Sequence, residues 1–321
     1  MGEDTFRVEA TVESPLEERR IAAAYQRSTR RKRVEVDGAE VERLSEAIGT
    51  LGVVAFSLAD VELVSGPPAG RRRFLDILLS LVRPGYLESL RRCGAIVAQR
   101  NEVLRSGAGS SELAPWTESL VRAGAPVMEA RARWVAERAD AFFRYHRAIA
   151  GGVGAQLAYR PSVGANELAV ADAADRCADD GGLALWETRF RTALGRAEER
   201  ERAHGMTLVG PHRDDVALRA PVADESERAI RRFGSGGQQR TAALALRLLE
   251  ADTLRDRSGV EPVYLLDDVF AELDRERSEG FLRLLEEGRL GQVILTTPKP
   301  ADVRLRGGLA EWKIRSGRLE T

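Results

Sequence analysis

The sequence predicts an α/β protein: a strand-rich start, a helical middle, and a buried parallel sheet in the last third. Three observations carry this expectation. The apolar runs "PVYLLDD" and "GQVILTT" flank the helical pattern "RERSEGFLRLLEEG", as in a right-handed crossover between parallel strands. From Ser57 to about Ile149, apolar residues recur at helical spacing. The chain opens on "TFRVEATVE", whose alternation reads as a strand.

The first strand is followed by "KRVEVDGAEVERL", where Asp37-Gly38 between alternating apolar positions signals a hairpin. The opening strand has no partner ahead of it, so a segment upstream is expected to be absent. In "SLADVELVSGPPAGRRRFLDILLSLV", Phe74, Ile77, Leu78 and Leu81 fall on one helical face. The doublets Val127/Met128, Trp134/Val135 and Phe142/Phe143 recur at two-turn spacing, so this region is either a protruding helical lobe or the packing face of one domain. "GGVGAQLAYRPSVGANE" is glycine-rich punctuation around a strand, and "ALWETRFRTALGRAEERERA" returns to helix. Leu244, Leu248 and Ala251 then share a helical face.

At 321 residues, 43% hydrophobic and 31% charged, the chain can bury a sizeable core and hold two compact units. No apolar run approaches the roughly 18 to 20 residues of a membrane span. "MGEDTFRVEA" lacks the basic and apolar regions of a secretory signal. Two cysteines, Cys93 and Cys177, and three histidines offer no zinc-ligand spacing, and a reducing cytoplasm is the simplest setting. A net charge of -1 argues against coating nucleic acid by charge alone, so any DNA contact must be local. Of 49 basic residues only Lys32, Lys299 and Lys313 are lysines.

Two motifs can carry chemistry. The strand in "VYLLDDVFAELD" delivers Asp267 to its carboxyl edge, where open parallel sheets bind ligands and where Thr296 and Thr297 also lie. There Asp267 can hold Mg2+ directly or through water, and Asp268 can act on a water as base or orienter. The plain alternative is a pair of capping or solvated aspartates. In "FGSGGQQRT", Gly234, Gly236 and Gly237 surround Ser235 just before a helix, so amides and a hydroxyl sit at the positive end of a helix dipole. That makes an anion site with no charged side chain, or simply a flexible loop.

The order of these motifs resembles that of the RecF family of recombination mediators, whose head is an ABC-type, SMC-like ATPase. "SGGQQRTAALALRLLEAD" is similar to its signature and following helix, "VYLLDDVFAELD" to its Walker B and D-loop, and "QVILTT" to the next strand. "GPHRDDV" and "AFSLADVELVSGPPAGRRRFLD" also resemble stretches of the family, and the likeness covers essentially the whole chain. It implies an ABC-type ATPase head, incomplete at the N-terminus, with an inserted helical lobe. The expected segments are 1–83 and 205–321 for the head and 84–204 for the lobe.

The resemblance also implies roles. Ser235, Gly236, Gly237 and Gln238 would contact ATP held by a second subunit, so an ATP-dependent homodimer is expected. Asp267 would hold Mg2+, Asp268 would be the catalytic carboxylate, and Asp274, in the D-loop, would cross the dimer interface. His212 and Arg213 either contact nucleotide or DNA, or Arg213 forms an ion-pair turn with Asp214 and Asp215. Arg30, Arg31, Arg33, Arg71 and Arg72 are candidate DNA phosphate contacts, with solvated charge as the plain alternative. The implied partners are gapped or junction DNA and a RecR-type mediator, with no membrane.

One departure is large. A Walker A loop, GxxxxGK[ST], cradles phosphates with backbone amides and a lysine, and none of the three lysines stands in such a setting. The expectation is a chain without its first segment, through a start placed too far downstream, a separate chain, or a form that has lost hydrolysis. Two other functions remain open: a non-catalytic DNA-binding or regulatory module, and a metal-dependent hydrolase built on Asp267, Asp268 and Asp214 or Asp215.

Overall fold

The computed structural model describes residues 4–13, 18–41, 51–107, 109–164, 181–221, 227–287, 291–299, 310–315 and 318–320. It begins with an antiparallel sheet of β1 (Thr5–Glu13), β2 (Glu18–Gln26), β3 (Arg31–Val36) and β4 (Ala39–Glu40), in that spatial order. Asp37 and Gly38 join the last two strands with φ of 52° and 84°, the left-handed pair that a two-residue hairpin of this twist needs. Charge rather than apolar burial lines the strands. The Arg7 guanidinium donates to both oxygens of Glu35 at 2.9 and 2.7 Å, and Ala22 is the one buried apolar residue among the described residues of this sheet.

β5 (Val53–Ser57) leads through a 3-10 turn into α1 (Val61–Ser65), α2 (Pro68–Val82), α3 (Tyr86–Arg105) and α4 (Ser110–Ile149). α2 starts with Pro68 at its first position, where the missing N–H has no acceptor to lose. Its inner face is Arg71, Phe74, Leu75, Leu78 and Leu79. Ile77, placed on the inner face by spacing, is instead 51% exposed, because the helix packs through the row beside it. α4 is the central beam: it runs 40 residues through Pro115 and Pro126 and buries Val127, Met128, Trp134, Val135 and Phe142. Phe143, the other half of its doublet, is exposed.

A second antiparallel sheet, β6 (Gln156–Arg160), β7 (Asp215–Pro221) and β8 (Glu227–Ala229), lies against α4, as does α5 (Gly181–His204). A short helix, α6 (Ile230–Phe233), precedes α7 (Gly236–Ser258). The expected crossover is present: β9 (Val263–Asp267), α8 (Arg275–Glu287) and β10 (Val293–Thr296), with β10 and β5 both parallel to β9. A two-stranded ribbon, β11 (Lys313–Arg315) with β12 (Arg318–Glu320), follows.

Two apolar cores result. The larger gathers α2, α3, α4, α5 and β7 around Leu78, Leu120, Val127 and Phe190, and takes Leu246 and Leu249 from α7, so residues of all three expected segments share it. The smaller packs Val54 and Phe56 of β5 and Tyr264 and Leu266 of β9 against Leu244 and Leu248 of α7 and Phe281 of α8. Within β9 only alternate residues are buried, which gives the parallel sheet one deep face. α4 and α7 join the cores: Trp134 Nε1 donates to Thr253 Oγ1 at 3.0 Å and the Tyr145 hydroxyl to Asp252 Oδ2 at 2.7 Å. Among the described residues, no helix is long and apolar enough to cross a membrane.

Candidate nucleotide-handling site

The buried residues of β9 alternate, so the strand is anchored from below and presents its last residue, Asp267, at the exposed carboxyl edge of the sheet. Ser57 of β5 and Thr296 of β10 flank it in register. The Thr296 hydroxyl donates to Asp267 Oδ1 at 2.7 Å, which fixes the carboxylate and leaves its second oxygen for a ligand. Asp268 follows with φ 52°, a left-handed backbone that costs a non-glycine residue on the order of 1 kcal/mol. Its amide donates to the Thr296 carbonyl at 3.2 Å, and its side-chain Oδ1 is buried with no hydrogen-bond partner. A strained residue that carries an orphaned acceptor at a sheet edge is the kind of outlier that functional sites tolerate.

The glycine loop is held by a reciprocal cap. Ser235 Oγ accepts from the Gln238 amide at 3.3 Å, and Gln238 Oε1 accepts from the Ser235 amide at 2.9 Å. This capping box orients the first amides of α7 through the loop's own side chains. A Cβ at Gly237 would lie 3.1 Å from the Arg277 guanidinium carbon, so glycine leaves room for that group. Arg277 reaches back to the Asp274 carboxylate, and its backbone amide donates to Asp274 Oδ1 at 2.9 Å. Asp274 thus caps α8, and its pKa is lowered by the Arg277 amide and guanidinium. Arg240 of α7 donates to the Glu272 carbonyl at 2.9 Å.

Through Arg240 and Arg277 the structure brings the glycine loop and the turn after Asp268 together. No hydrogen bond joins Ser235–Gln238 to Asp267 or Asp268 among the described residues. Sequence reasoning missed both arginines. Arg277 was legible as a basic residue three positions after a helix-capping aspartate, whereas Arg240 carried no local signal.

"GPHRDDV" proves to be a buried crossing point. Asp214 is wholly buried; it accepts from the Tyr159 hydroxyl and, at 2.7 Å, from the Ser162 amide, and Arg131 Nη1 lies 3.6 Å away. Burial pushes its carboxyl up, against the pull of Arg131. Asp215 pairs with Arg71 at 2.8 and 3.1 Å. Of the two alternatives for Arg213, the ion-pair turn is overturned: the two aspartates pair with distant arginines, and Arg213 donates to the Thr207 carbonyl at 3.2 Å while remaining exposed. Asp214 is held in a buried network and half-buried Asp215 is taken up by both arms of Arg71, which removes both from any metal-hydrolase site.

His212 Nε2 sits 3.2 Å from the Thr207 carbonyl, so that nitrogen carries the proton, and Nδ1 is a buried acceptor without a partner. Burial pushes its pKa down to about 4, helped by Arg213, Arg72 and Arg100. It is neutral near pH 7 and contributes no charge to a phosphate contact.

The candidate DNA contacts divide. Arg71 is 4% exposed, and its guanidinium is saturated by Asp215 and by the carbonyls of Leu63, Val64 and Gly66, so it is a core residue and not a DNA contact. Arg72 donates to the Asp214 carbonyl at 2.7 Å from a half-buried position. Arg30, Arg31 and Arg33 remain exposed on the β2–β3 hairpin, with Arg33 3.7 Å from Glu40.

No protein-family model matches the chain. It is 39% identical over 274 residues to the DNA replication and repair protein RecF of Salinibacter ruber, covering 84% of this chain and 63% of that protein. To the protein of the same name from Syntrophotalea carbinolica it is 34% identical over 291 residues, covering 90% of this chain and 74% of the relative. The chain belongs to the RecF family. It is shorter than these members, spanning less than two thirds of the first.

A solved structure of the recombination mediator protein RecF-ATPrS in the RecFOR pathway superposes with a TM-score of 0.77 at 25% identity, over 100% of this chain and 81% of that one. The structure of RecF-ATP in the same pathway gives 0.76 at 26% identity. The fold is thus the α/β ABC-type ATPase head with a helical lobe that the RecF resemblance implies. Solved RecF structures named for ATP place nucleotide binding within the family.

Proposed function

We propose that this chain is the working body of a RecF-type DNA replication and repair protein, which binds gapped or junction DNA as an ATP-dependent dimer and supports recombinase loading with a RecR-type mediator. The observation that carries the reading is the pairing of a strained Asp268, with its orphaned buried oxygen, and a pre-capped glycine loop, within a chain of this family.

Mg2+ fits the residues present in one way. Among the described residues no group of three His, Cys, Asp or Glu side chains could hold a metal alone. Mg2+ usually takes one or two carboxylates plus phosphates and water, and Asp267 supplies the first of these. When bound, the ion neutralises charge on the nucleotide phosphates. Thr296 orients the Asp267 carboxylate, and the free oxygen of Asp268 accepts a proton or orients a water. Ser235, Gly236, Gly237 and Gln238 contact the nucleotide of the second subunit, Gly236 and Gly237 through amides that the cap does not use, and Asp274 meets that subunit from the adjoining turn. No GxxxxGK[ST] occurs in these 321 residues, so they do not supply a phosphate cradle in cis. Exposed Arg30, Arg31 and Arg33 are the remaining phosphate contacts for DNA.

The test compares this chain with the same chain carried to the length of its relatives. Association is followed by light scattering, and DNA binding by anisotropy on a gapped duplex, each with and without ATP and Mg2+. The longer form is expected to dimerise and bind DNA with ATP, and Asp268→Asn to keep both while losing hydrolysis. A longer form that neither associates nor binds DNA with ATP overturns the reading.

A second reading, a nucleotide-independent DNA-binding or regulatory module, is favoured by the capping box, in which the loop's own side chains take up the Ser235 and Gln238 amides. It predicts DNA binding by the 321-residue chain that ATP leaves unchanged.

A further inference from the structure

The outward side of the α2–α3 hairpin carries two adjoining cavities of about 760 and 690 Å³ that share Ser80, Leu81, Leu87 and Arg91. They form one groove from Arg257, in the last turn of α7, to Pro211 and His212. Its floor is aliphatic: Ile77 stands out from the middle of α2, and Leu81, Leu87, Leu90 and Val97 are half-buried around it.

The rim is cationic. Arg73, Arg91, Arg92 and Arg257 are exposed and have no carboxylate partner among the described residues. Of the two lining carboxylates, Asp76 already accepts from the Tyr86 hydroxyl at 2.6 Å and from Arg131 at 2.7 Å, which leaves Glu88 as the one unspent negative group.

We infer that this groove docks a protein partner through an acidic amphipathic helix. Leucine-type side chains at i, i+3, i+4 and i+7 fill the floor, and carboxylates on the helix flanks meet the arginines. Charge complementarity selects the sign of the partner and speeds the encounter, while the aliphatic floor holds it. Nucleic acid fits less well. A single strand needs aromatic platforms to stack on, and among the described residues no Phe, Tyr or Trp lines the groove. A duplex backbone satisfies the arginines but leaves Ile77 and its neighbours wet. The inference is independent of the nucleotide reading, because Asp267, Asp268, Asp274 and Ser235–Gln238 do not line the groove.

The experiment measures fluorescence anisotropy of three labelled helical peptides with the 321-residue chain. One is acidic with leucine at i, i+3, i+4 and i+7, one has lysine in place of every carboxylate, and one is the acidic sequence scrambled. A labelled single strand and a labelled duplex serve as further probes. The acidic amphipathic peptide is expected to bind at least tenfold tighter than the other two. Ile77→Asp and Arg91→Glu, both at exposed positions, should each weaken it about tenfold or more with the far-UV circular dichroism unchanged.

Equal binding of all three peptides overturns the proposal, as does acidic-peptide binding that both variants leave intact. DNA binding that falls in step with Ile77→Asp overturns it in favour of a nucleic-acid groove.

Discussion

Asp214 shows at the scale of one residue what the linear sequence conceals. Its neighbours in sequence, Arg213 and Asp215, invite a local ion-pair turn, yet its partners come from the strand, loop and long helix that precede it by 52 residues or more. Removing the carboxylate leaves the Tyr159 hydroxyl and the Ser162 amide without their acceptor and takes one of two carboxylate neighbours from buried Arg131, so Asp214→Ala should cost about 3 to 5 kcal/mol in urea unfolding. Asp214→Asn, which keeps an acceptor oxygen, should cost less. Asp267 and Asp268 were legible because an apolar strand must end somewhere and parallel sheets work at that end. The left-handed backbone of Asp268 was not, since no residue type at that position announces it.

His212 carries the pH dependence of the same region. Its folded pKa of about 4 lies below the ordinary histidine value, so the folded state disfavours the imidazolium. Its contribution is therefore fully present above about pH 6.5 and is lost as pH falls through 4, by about 3 kcal/mol at the acid limit. His146, also pushed down by burial, acts in the same sense. Stability measured between pH 7 and pH 4 should fall, and His212→Gln, which keeps a donor for the Thr207 carbonyl, should flatten part of that fall. A slope unchanged by His212→Gln would place the titration elsewhere.

At the scale of elements, α7 is defined by its first turn. The S-x-x-Q spacing of Ser235 and Gln238 is itself a capping-box pattern, so the same residues that read as a nucleotide-contacting signature also start a helix. The two roles separate by substitution. Ser235→Ala should cost about 1 kcal/mol, because it removes the cap. Ser235→Asp keeps a good N-cap and adds favourable charge at the helix start, so thermal unfolding should move little. The same carboxylate faces any incoming phosphate, so ATP-dependent association of the longer form should be lost. If Ser235→Asp associates normally, the loop is a cap and nothing more. β2 went unread for a converse reason: "ERRIAAAYQ" has a continuous apolar stretch with no alternation, and its strand character comes from pairing with β1 and β3.

For the whole molecule, the contrast between the first sheet and the rest decides how stability is distributed. The helices share a core that α4 spans from end to end, and α7 ties that core to the parallel sheet. β1–β4 instead hold together by their own ladder and by surface charge pairs, with Phe6 and Val8 exposed at 58% and 61%. Exposed ion pairs contribute little, and a sheet without a buried face has only its hydrogen bonds to resist opening. Amides in β1–β4 should therefore exchange through local opening, orders of magnitude faster than those of α4 between Leu120 and Phe142, whose exchange should need global unfolding. Hydrogen-exchange mass spectrometry at neutral pH measures this directly. Slow exchange across residues 5–36 would mean that the sheet is covered in solution by another surface, with Phe6 and Val8 the first side chains to test in that contact.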